Sequence, residues 1–132
     1  MNRLIWKRIY EKVEEDDGFR VFIDRLWARG IKKENASISY WAKEITPTKE
    51  LREEYHKGEI SFEIFSRKYS DELKKNPYFN QFLQKIKEKL KKENVTFVFA
   101  SKTPELSHIP ILRKYIEEKL EEEGYKMECV KK

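Results

Sequence analysis

Short apolar runs alternate with longer amphipathic stretches along the chain, and this pattern predicts an α/β fold. The strand-like runs lie at residues 4–10, 19–24, 95–100 and 125–130. The second run is apolar except for Arg20, as expected for a strand that is covered on both faces, and the third is an unbroken β-favouring run. The sequence therefore predicts a small, mainly parallel sheet of about four strands with helices packed on it, in a single domain over residues 1–132.

The connections between these runs predict how the strands pair. Residues 11–17 form a short acidic connection that ends at Gly18, so we expect the first two strands to be neighbours. The region 95–130 is expected to form a strand, a helix over 107–123 and a second strand. Such a unit requires a right-handed crossover and parallel pairing.

Apolar residues at helical spacing predict three helices between the second and third strands. The first two begin after Thr48 and Ser61, which have the side chains that cap a helix N-terminus, and the third spans residues 78–93. Residues 37–45 fit a strand and a helix equally well.

The composition of the chain limits the classes of partner and the cellular compartment that we expect for this protein. Aromatic residues make up 14% of the chain, which predicts a folded protein although 40% of its residues are charged. The net charge of +5 is a small excess of 29 basic over 24 acidic residues, and it favours an anionic partner only modestly. The single cysteine, Cys129, excludes an internal disulfide, suits a reducing compartment and is expected in the core. We therefore expect a cytoplasmic protein with no membrane segment, no bound metal and no cofactor.

The most informative stretch is the one in which the strand at 19–24 ends abruptly in one acid and two arginines, namely Asp24, Arg25 and Arg29. Ligands of open α/β sheets bind beyond the carboxyl ends of the strands. Arginines at such a place predict a binding site for phosphate or carboxylate.

The strand at 95–100 likewise ends in polar residues, Ser101, Lys102 and Thr103, and the next helix starts at Ser107 or His108. If this strand lies beside the one at 19–24, the polar groups of both converge on one edge of the sheet, together with backbone N–H groups suited to an anion.

These residues predict a division of roles. Arg25 and Arg29 clamp the anion, Asp24 orients them, and His108 acts as an acid or base. A structural alternative stays open, in which Asp24 pairs with Arg25 or Arg29 to fix the turn after the strand. Lys102 and His108 are in that case ordinary surface or capping residues.

A family pattern is spread over the chain from Lys7 to Leu120. Its most specific parts are Lys7-Arg8-Ile9-Tyr10, Gly18-Phe19-Arg20-Val21 and Asp24-Arg25-Leu26-Trp27-Ala28-Arg29-Gly30, followed by Trp41, Pro47-Thr48, Leu51-Arg52, Phe65, Tyr69, Ala100-Ser101-Lys102 and Leu112. This pattern resembles the YeaO-like family, a set of small bacterial and archaeal proteins of unknown function. The resemblance implies a compact α/β fold and no established activity. It also places polar groups on family positions at Asp24, Arg25, Arg29, Thr48, Arg52 and Lys102.

The chain departs from the YeaO-like pattern before its last helix. An Ala-Lys-Asp segment followed by His-Asn is replaced here by a segment with Thr103, Leu106 and Ser107, and His108 lies beside the missing pair. Ala28 also replaces the usual proline. If the missing polar residues are catalytic in relatives, the resemblance implies that this member binds without catalysing or uses other groups.

Three functional hypotheses follow. We favour a small protein that binds, and in one version transforms, an anionic small molecule at the carboxyl ends of its strands. The first alternative is a nucleic-acid-associated protein that contacts phosphates through the lysine-rich outer face of residues 85–92, although glutamates are interspersed there. The second is a protein-interaction subunit, or a homodimer, whose interface contains an exposed Trp6, Trp27 or Trp41.

Overall fold

This computed structural model describes residues 2–125 of the chain, which contain four parallel strands and five α-helices. The strands are β1 (Leu4–Arg8), β2 (Phe19–Phe22), β3 (Tyr40–Trp41) and β4 (Val95–Phe99). They lie in the order β1-β4-β2-β3, which confirms the predicted α/β fold with a small parallel sheet. The ambiguous region 37–45 contains β3 and then a 3₁₀ turn, Lys43–Ile45. Cys129 and residues 126–130 of the predicted last strand lie outside the described residues.

The helices are α1 (Lys33–Ala36), α2 (Lys49–His56), α3 (Phe62–Lys75), α4 (Phe79–Leu90) and α5 (Ile109–Glu122). Both predicted caps are confirmed. The N–H of Leu51 donates to the hydroxyl of Thr48 (3.3 Å), and the N–H of Ile64 donates to that of Ser61 (3.2 Å). None of the helices within residues 2–125 combines the length and the apolar character that crossing a membrane requires.

β4 lies at the centre of the sheet, between β1 and β2, so the prediction that the first two strands are neighbours was wrong. All five residues of β4 are buried, whereas β1 carries Lys7 and Arg8 and β2 carries Arg20. β4 takes one of the two inner positions of the sheet, as expected for a strand whose residues are all buried. Parallel strands are joined by long crossovers, so adjacency along the chain does not decide adjacency in the sheet. The pairing of β2 with β4, on which the predicted site depends, is present.

Alternate residues of the strands belong to two separate cores. On one side, Val21 and Phe97 pack with side chains of α2, α3, α4 and α5. On the other side, Phe22 and Val98 pack with apolar side chains of the segment 24–38. We call the first side the helix face and the second the loop face.

The connections that leave the strands run over different faces of the sheet. After β1 and β2 the chain crosses the loop face, whereas after β3 and β4 it crosses the helix face. The chain leaving β4 therefore diverges from the chains leaving both of its neighbours. Such a divergence opens a crevice at the carboxyl ends of parallel strands, where α/β proteins bind ligands.

Three charged side chains are buried together on the loop face. Nζ of Lys7 donates to both carboxylate oxygens of Asp17 (3.0 Å each), and Nη1 of Arg20 donates to Oδ2 (2.5 Å). Burial by itself raises the pKa of Asp17. Hydrogen bonds from Lys7, from the backbone of Glu14 and from Arg20 outweigh this effect and hold the pKa below its ordinary value. Arg20, which interrupts an apolar run in the sequence, is thus paired inside the fold.

Gly18→Ala should destabilise the fold by about 3 kcal/mol, because it combines a clash with an unfavourable backbone conformation. Gly18 has a φ of +63°, and a Cβ there would lie 2.2 Å from the carbonyl oxygen of Asn94. Gly58→Ala is the matched control, since Gly58 has a φ of +75° and no atom of the other described residues would lie within 4 Å of a Cβ there. It should cost only about 1 kcal/mol. Equal losses in urea unfolding would contradict the close approach at Gly18.

Asp17→Asn should lower the free energy of unfolding by about 3 kcal/mol at neutral pH, because it leaves the buried Arg20 without its counter-charge and leaves Lys7 with only a long contact to Glu14 (3.9 Å) among the described residues. The folded pKa of Asp17 lies below its ordinary value of 3.8. Its stabilisation is therefore complete above that value and is lost as the pH falls through the folded pKa. Urea unfolding should show that the gap between wild type and variant narrows on acidification. A gap that widens would be the contrary result.

Candidate functional site

A cavity of about 470 Å³ opens at the carboxyl edge of the sheet, within the crevice left by the diverging connections. Its size is that of a typical small-molecule site. The wall is built from segments that follow β1, β2 and β4, from α2 and α3, and from the start of α5. It comprises Tyr10, residues 24–29, Pro47, Arg52, Tyr55, His56, Phe65, Ala100, Ser101, Thr103 and residues 106–108.

The cavity brings together most of the residues that the sequence indicated. Six of them line its wall, namely Asp24, Arg25, Arg29, Arg52, Ser101 and His108. Two others lie outside the wall. The hydroxyl of Thr48 donates to Glu72 (2.6 Å) and caps α2, and Lys102 is exposed on the turn after β4.

Asp24 joins the end of β2 to the end of β4. Its Oδ2 accepts the backbone N–H of Ala100 (2.8 Å), and its backbone carbonyl accepts the indole N–H of Trp41 (2.6 Å). Its Oδ1 lies 3.5 Å from Nε2 of His108. Among the ion pairs formed within residues 2–125, Asp24 pairs with no arginine, so the structural alternative of an Asp24–arginine pair does not hold.

His108 stands at the N-terminus of α5 and faces the same carboxylate. Its Nε2 lies 2.6 Å from the carbonyl oxygen of Ile23, so this nitrogen carries a proton and donates it. Burial lowers the pKa of His108, opposed by the charge of Asp24 and the Ile23 carbonyl. Burial likewise raises the pKa of Asp24, opposed by His108 and the N–H of Ala100. Both shifts favour the uncharged form of the side chain at this point of the wall.

Three arginine side chains reach the cavity without a carboxylate partner. No ion pair within the described part of the chain includes Arg25, Arg29 or Arg52. Nε of Arg25 donates to the carbonyl of Pro47 (2.8 Å), which holds that side chain at the wall. Nε of Arg52 is buried and has no hydrogen-bond partner among residues 2–125. The wall therefore carries three guanidinium groups that form no ion pair with the described residues.

Arg8, the last residue of β1, and Tyr10, in the turn after it, complete the wall and its support, and the sequence did not single them out for the site. The guanidinium of Arg8 donates to the carbonyls of Ala100 and Ser101 (2.9 Å each) and lies over the ring of Tyr10 (4.9 Å). The hydroxyl of Tyr10 donates to the carbonyl of Arg29 (2.9 Å). A signal existed, because both residues end the first predicted strand and parallel strands share one carboxyl edge.

Tyr55 and Phe65 form the aromatic part of the wall, and they too were missed as site residues. Their rings stack with centroids 4.4 Å apart, and the hydroxyl of Tyr55 donates to the carbonyl of Leu106 (2.8 Å). In the sequence both rings belong to the apolar stripes of their helices. A ring that borders a cavity and a ring inside a core have the same helical spacing, so no sequence signal separates them.

The fold and the cavity define the class: an α/β protein with a ligand-sized pocket where the connections of a parallel sheet diverge. Within that class, the chain belongs to the family described as "Inactive DUF488-N3 subclade", whose model matches residues 3–130.

Similar chains extend the family assignment. The chain is 34% identical over 110 residues to "Uncharacterized protein YeaO" of Escherichia coli strain K12. The matched region covers 83% of this chain and 93% of the relative. It is 35% identical over 105 residues to the uncharacterized proteins Mb3100c of Mycobacterium bovis and Rv3073c of Mycobacterium tuberculosis strain H37Rv, with 80% of this chain and 86% of each relative covered. No solved structure matches the chain. The resemblance to the YeaO-like family is confirmed.

Asp24→Asn should lower the pKa of His108 further, because it removes the negative charge that favours the imidazolium form. An NMR titration of the histidine ring signals measures this change. His56 lies in the last turn of α2, and its ring signals are assigned separately from those of His108. A rise in the pKa of His108 would contradict the contact with Asp24.

Proposed function

We propose that this chain binds a small anionic molecule in the cavity at the carboxyl edge of its sheet. The observation that supports this most is the set of three arginines, Arg25, Arg29 and Arg52, that line one cavity with no carboxylate partner among the described residues. Guanidinium groups form strong, bidentate hydrogen bonds with carboxylate and phosphate. A bound anion would also give the buried Nε of Arg52 the acceptor that residues 2–125 do not provide.

The remaining wall is compatible with an anion. Of the described residues that line the cavity, Asp24 is the only acidic one. Its carboxylate already accepts the N–H of Ala100 and lies against His108. These two contacts offset part of the repulsion that the Asp24 carboxylate exerts on an anionic ligand.

Binding without turnover is the version that the contacts of Asp24 and His108 favour. The Asp24 carboxylate accepts a backbone N–H and His108 donates to a backbone carbonyl, so both side chains hold strand ends together. The description of the family as inactive supports the same version. An acid or base role for Asp24 and His108 stays a prediction. Within residues 2–125, no group of three or more His, Cys, Asp or Glu side chains is arranged so that it could hold a metal ion.

The segment that departs from the YeaO-like pattern gives separate support to binding without turnover. Thr103, Leu106 and Ser107 all line the cavity. The resemblance places polar groups of other members in this segment. The difference therefore falls on the wall of the proposed binding site, where a change of side chains alters the chemistry available to a bound molecule.

The nucleic-acid alternative depends on the lysines of α4, and several of these have local partners. Lys87 pairs with Glu123, and the ammonium groups of Lys85 and Lys89 lie over aromatic rings of β3 and β2, each 5.0 Å from the ring centroid. These contacts leave fewer lysines to follow a phosphate backbone. Steep loss of binding with salt would be the sign of that alternative.

An interface built on tryptophans has less support than the cavity. Trp6 is 4% exposed. The indoles of Trp27 and Trp41 donate to the carbonyls of Ile31 and Asp24 and pack against each other at 5.4 Å. A homodimer stays a prediction. The reducing cytoplasm stays the proposed location, because the chain has a single cysteine.

Inorganic phosphate should bind the wild-type protein at low ionic strength and raise its melting temperature by mass action. Arg52→Ala should weaken this binding about tenfold or more, since a charge-assisted hydrogen bond is lost from a partly buried site. Isothermal titration calorimetry gives the affinities, and thermal unfolding without ligand shows whether the variant is folded.

Arg67→Ala is the matched control for this test. The Arg67 side chain is 75% exposed on α3, outside the cavity, and its one ion pair with the described residues is a long contact with Glu63 (3.8 Å). Its removal deletes the same charge and should leave phosphate affinity unchanged. If Arg52→Ala is folded and binds phosphate as well as the Arg67→Ala protein does, the proposed site is wrong.

A further inference from the structure

Exposed apolar side chains gather at the mouth of the cavity. Leu26 is 58% exposed, Leu106 is 53% exposed and Tyr10 is 45% exposed, and all three line the cavity. Single exposed apolar residues are normal on a protein surface, whereas a group of them around one opening indicates a surface that is covered in function. The mouth of the cavity therefore has an apolar rim, which we define as these three side chains.

Apolar and charged groups stand side by side inside the rim. Phe65 is 3% exposed and stacks on Tyr55, whose ring borders the cavity. Arg52 lies three residues before Tyr55 on α2, so the two side chains share one face of that helix. The buried Nε of Arg52 lacks a partner within the described chain. One helix face thus presents a guanidinium group and an aromatic ring to the same space.

We propose that the ligand of this cavity is an amphipathic anion, a single carboxylate or phosphate group attached to an aromatic or aliphatic body. This inference rests on the proposed anion binding and names the class of molecule bound. The anionic group binds at Arg52, and the body lies against Tyr55 and covers Leu26 and Leu106. Removing those apolar surfaces from water supplies affinity that the arginines alone do not provide.

The size of the cavity supports a ligand with a body. A volume of about 470 Å³ is far more than a bare phosphate or carboxylate fills. It falls within the range of roughly 300–1,000 Å³ that is usual for small-molecule sites. A second copy of the chain is the weaker candidate occupant, since a stable interface covers roughly 800 Å² on each partner and the apolar rim surrounds a concavity.

Methyl phosphate and phenyl phosphate test this proposal, because both are dianions at about pH 8 and they differ only in the body. By calorimetry, wild-type protein should bind phenyl phosphate at least about tenfold more tightly than methyl phosphate, as expected when an aromatic ring is buried. The double variant Leu26→Ser, Leu106→Ser should lose most of this ratio and keep its affinity for inorganic phosphate. Ile64→Ser is the control, since Ile64 is 39% exposed on α3 and lies outside the cavity.

The outcomes separate this inference from the proposed function. Equal affinities of wild type for the two esters, or a preference that survives in the double variant, would overturn the amphipathic ligand and leave the anion site in place. If the wild-type protein binds none of the three ligands, that is, neither inorganic phosphate nor either ester, the proposed anion site is wrong and so is this inference. If light scattering shows a wild-type dimer that dissociates in the double variant, the apolar rim is an interface between copies, and the inference is wrong.

Discussion

Parallel pairing of the strands is the constraint on which the rest of the structure depends. Parallel strands cannot be joined by hairpins, so every connection must cross a face of the sheet. The chain leaving β4 takes the helix face, and the chains leaving its neighbours β1 and β2 take the loop face. The strand ends around β4 are therefore held apart, and the cavity is the space that this division leaves.

Hydrogen bonds to the backbone, and not ion pairs, fix the geometry of that space. Asp24 binds the amide of Ala100, Arg8 binds two carbonyls of the same turn, and Tyr10 binds the carbonyl of Arg29. The ends of β1, β2 and β4 are thereby fastened to one another without using the arginines of the wall. A wall that is rigid before a ligand arrives loses little conformational freedom on binding, which favours affinity in a small site.

The sequence predicted features that depend on neighbouring residues, such as where a strand or a helix ends. It missed features that depend on contacts between segments far apart along the chain. Apolar runs that stop at charged residues placed Asp24 and His108 correctly at one edge, because strand ends can be recognised without knowing the strand order. The order of the strands in the sheet could not be predicted, since a crossover connection can join strands that are not neighbours. The rings of Tyr55 and Phe65 carry the same helical spacing as core residues. Arg20 has its carboxylate partner in the acidic connection, where no periodic pattern indicates an inward-facing acid.

The central position of β4 also decides when the sheet can form. β1 pairs only with β4 within the described chain, so that Leu4 lies beside Val95, and β2 gains its longer pairing from the same strand. The ribosome delivers β4 after the other three strands and after α1 to α4. Contacts between residues so far apart in sequence slow folding and leave apolar strands exposed in the meantime. The helices α2 to α4 are therefore synthesised before the strand that completes the sheet, and their apolar faces stay exposed to aggregation until β4 has been made.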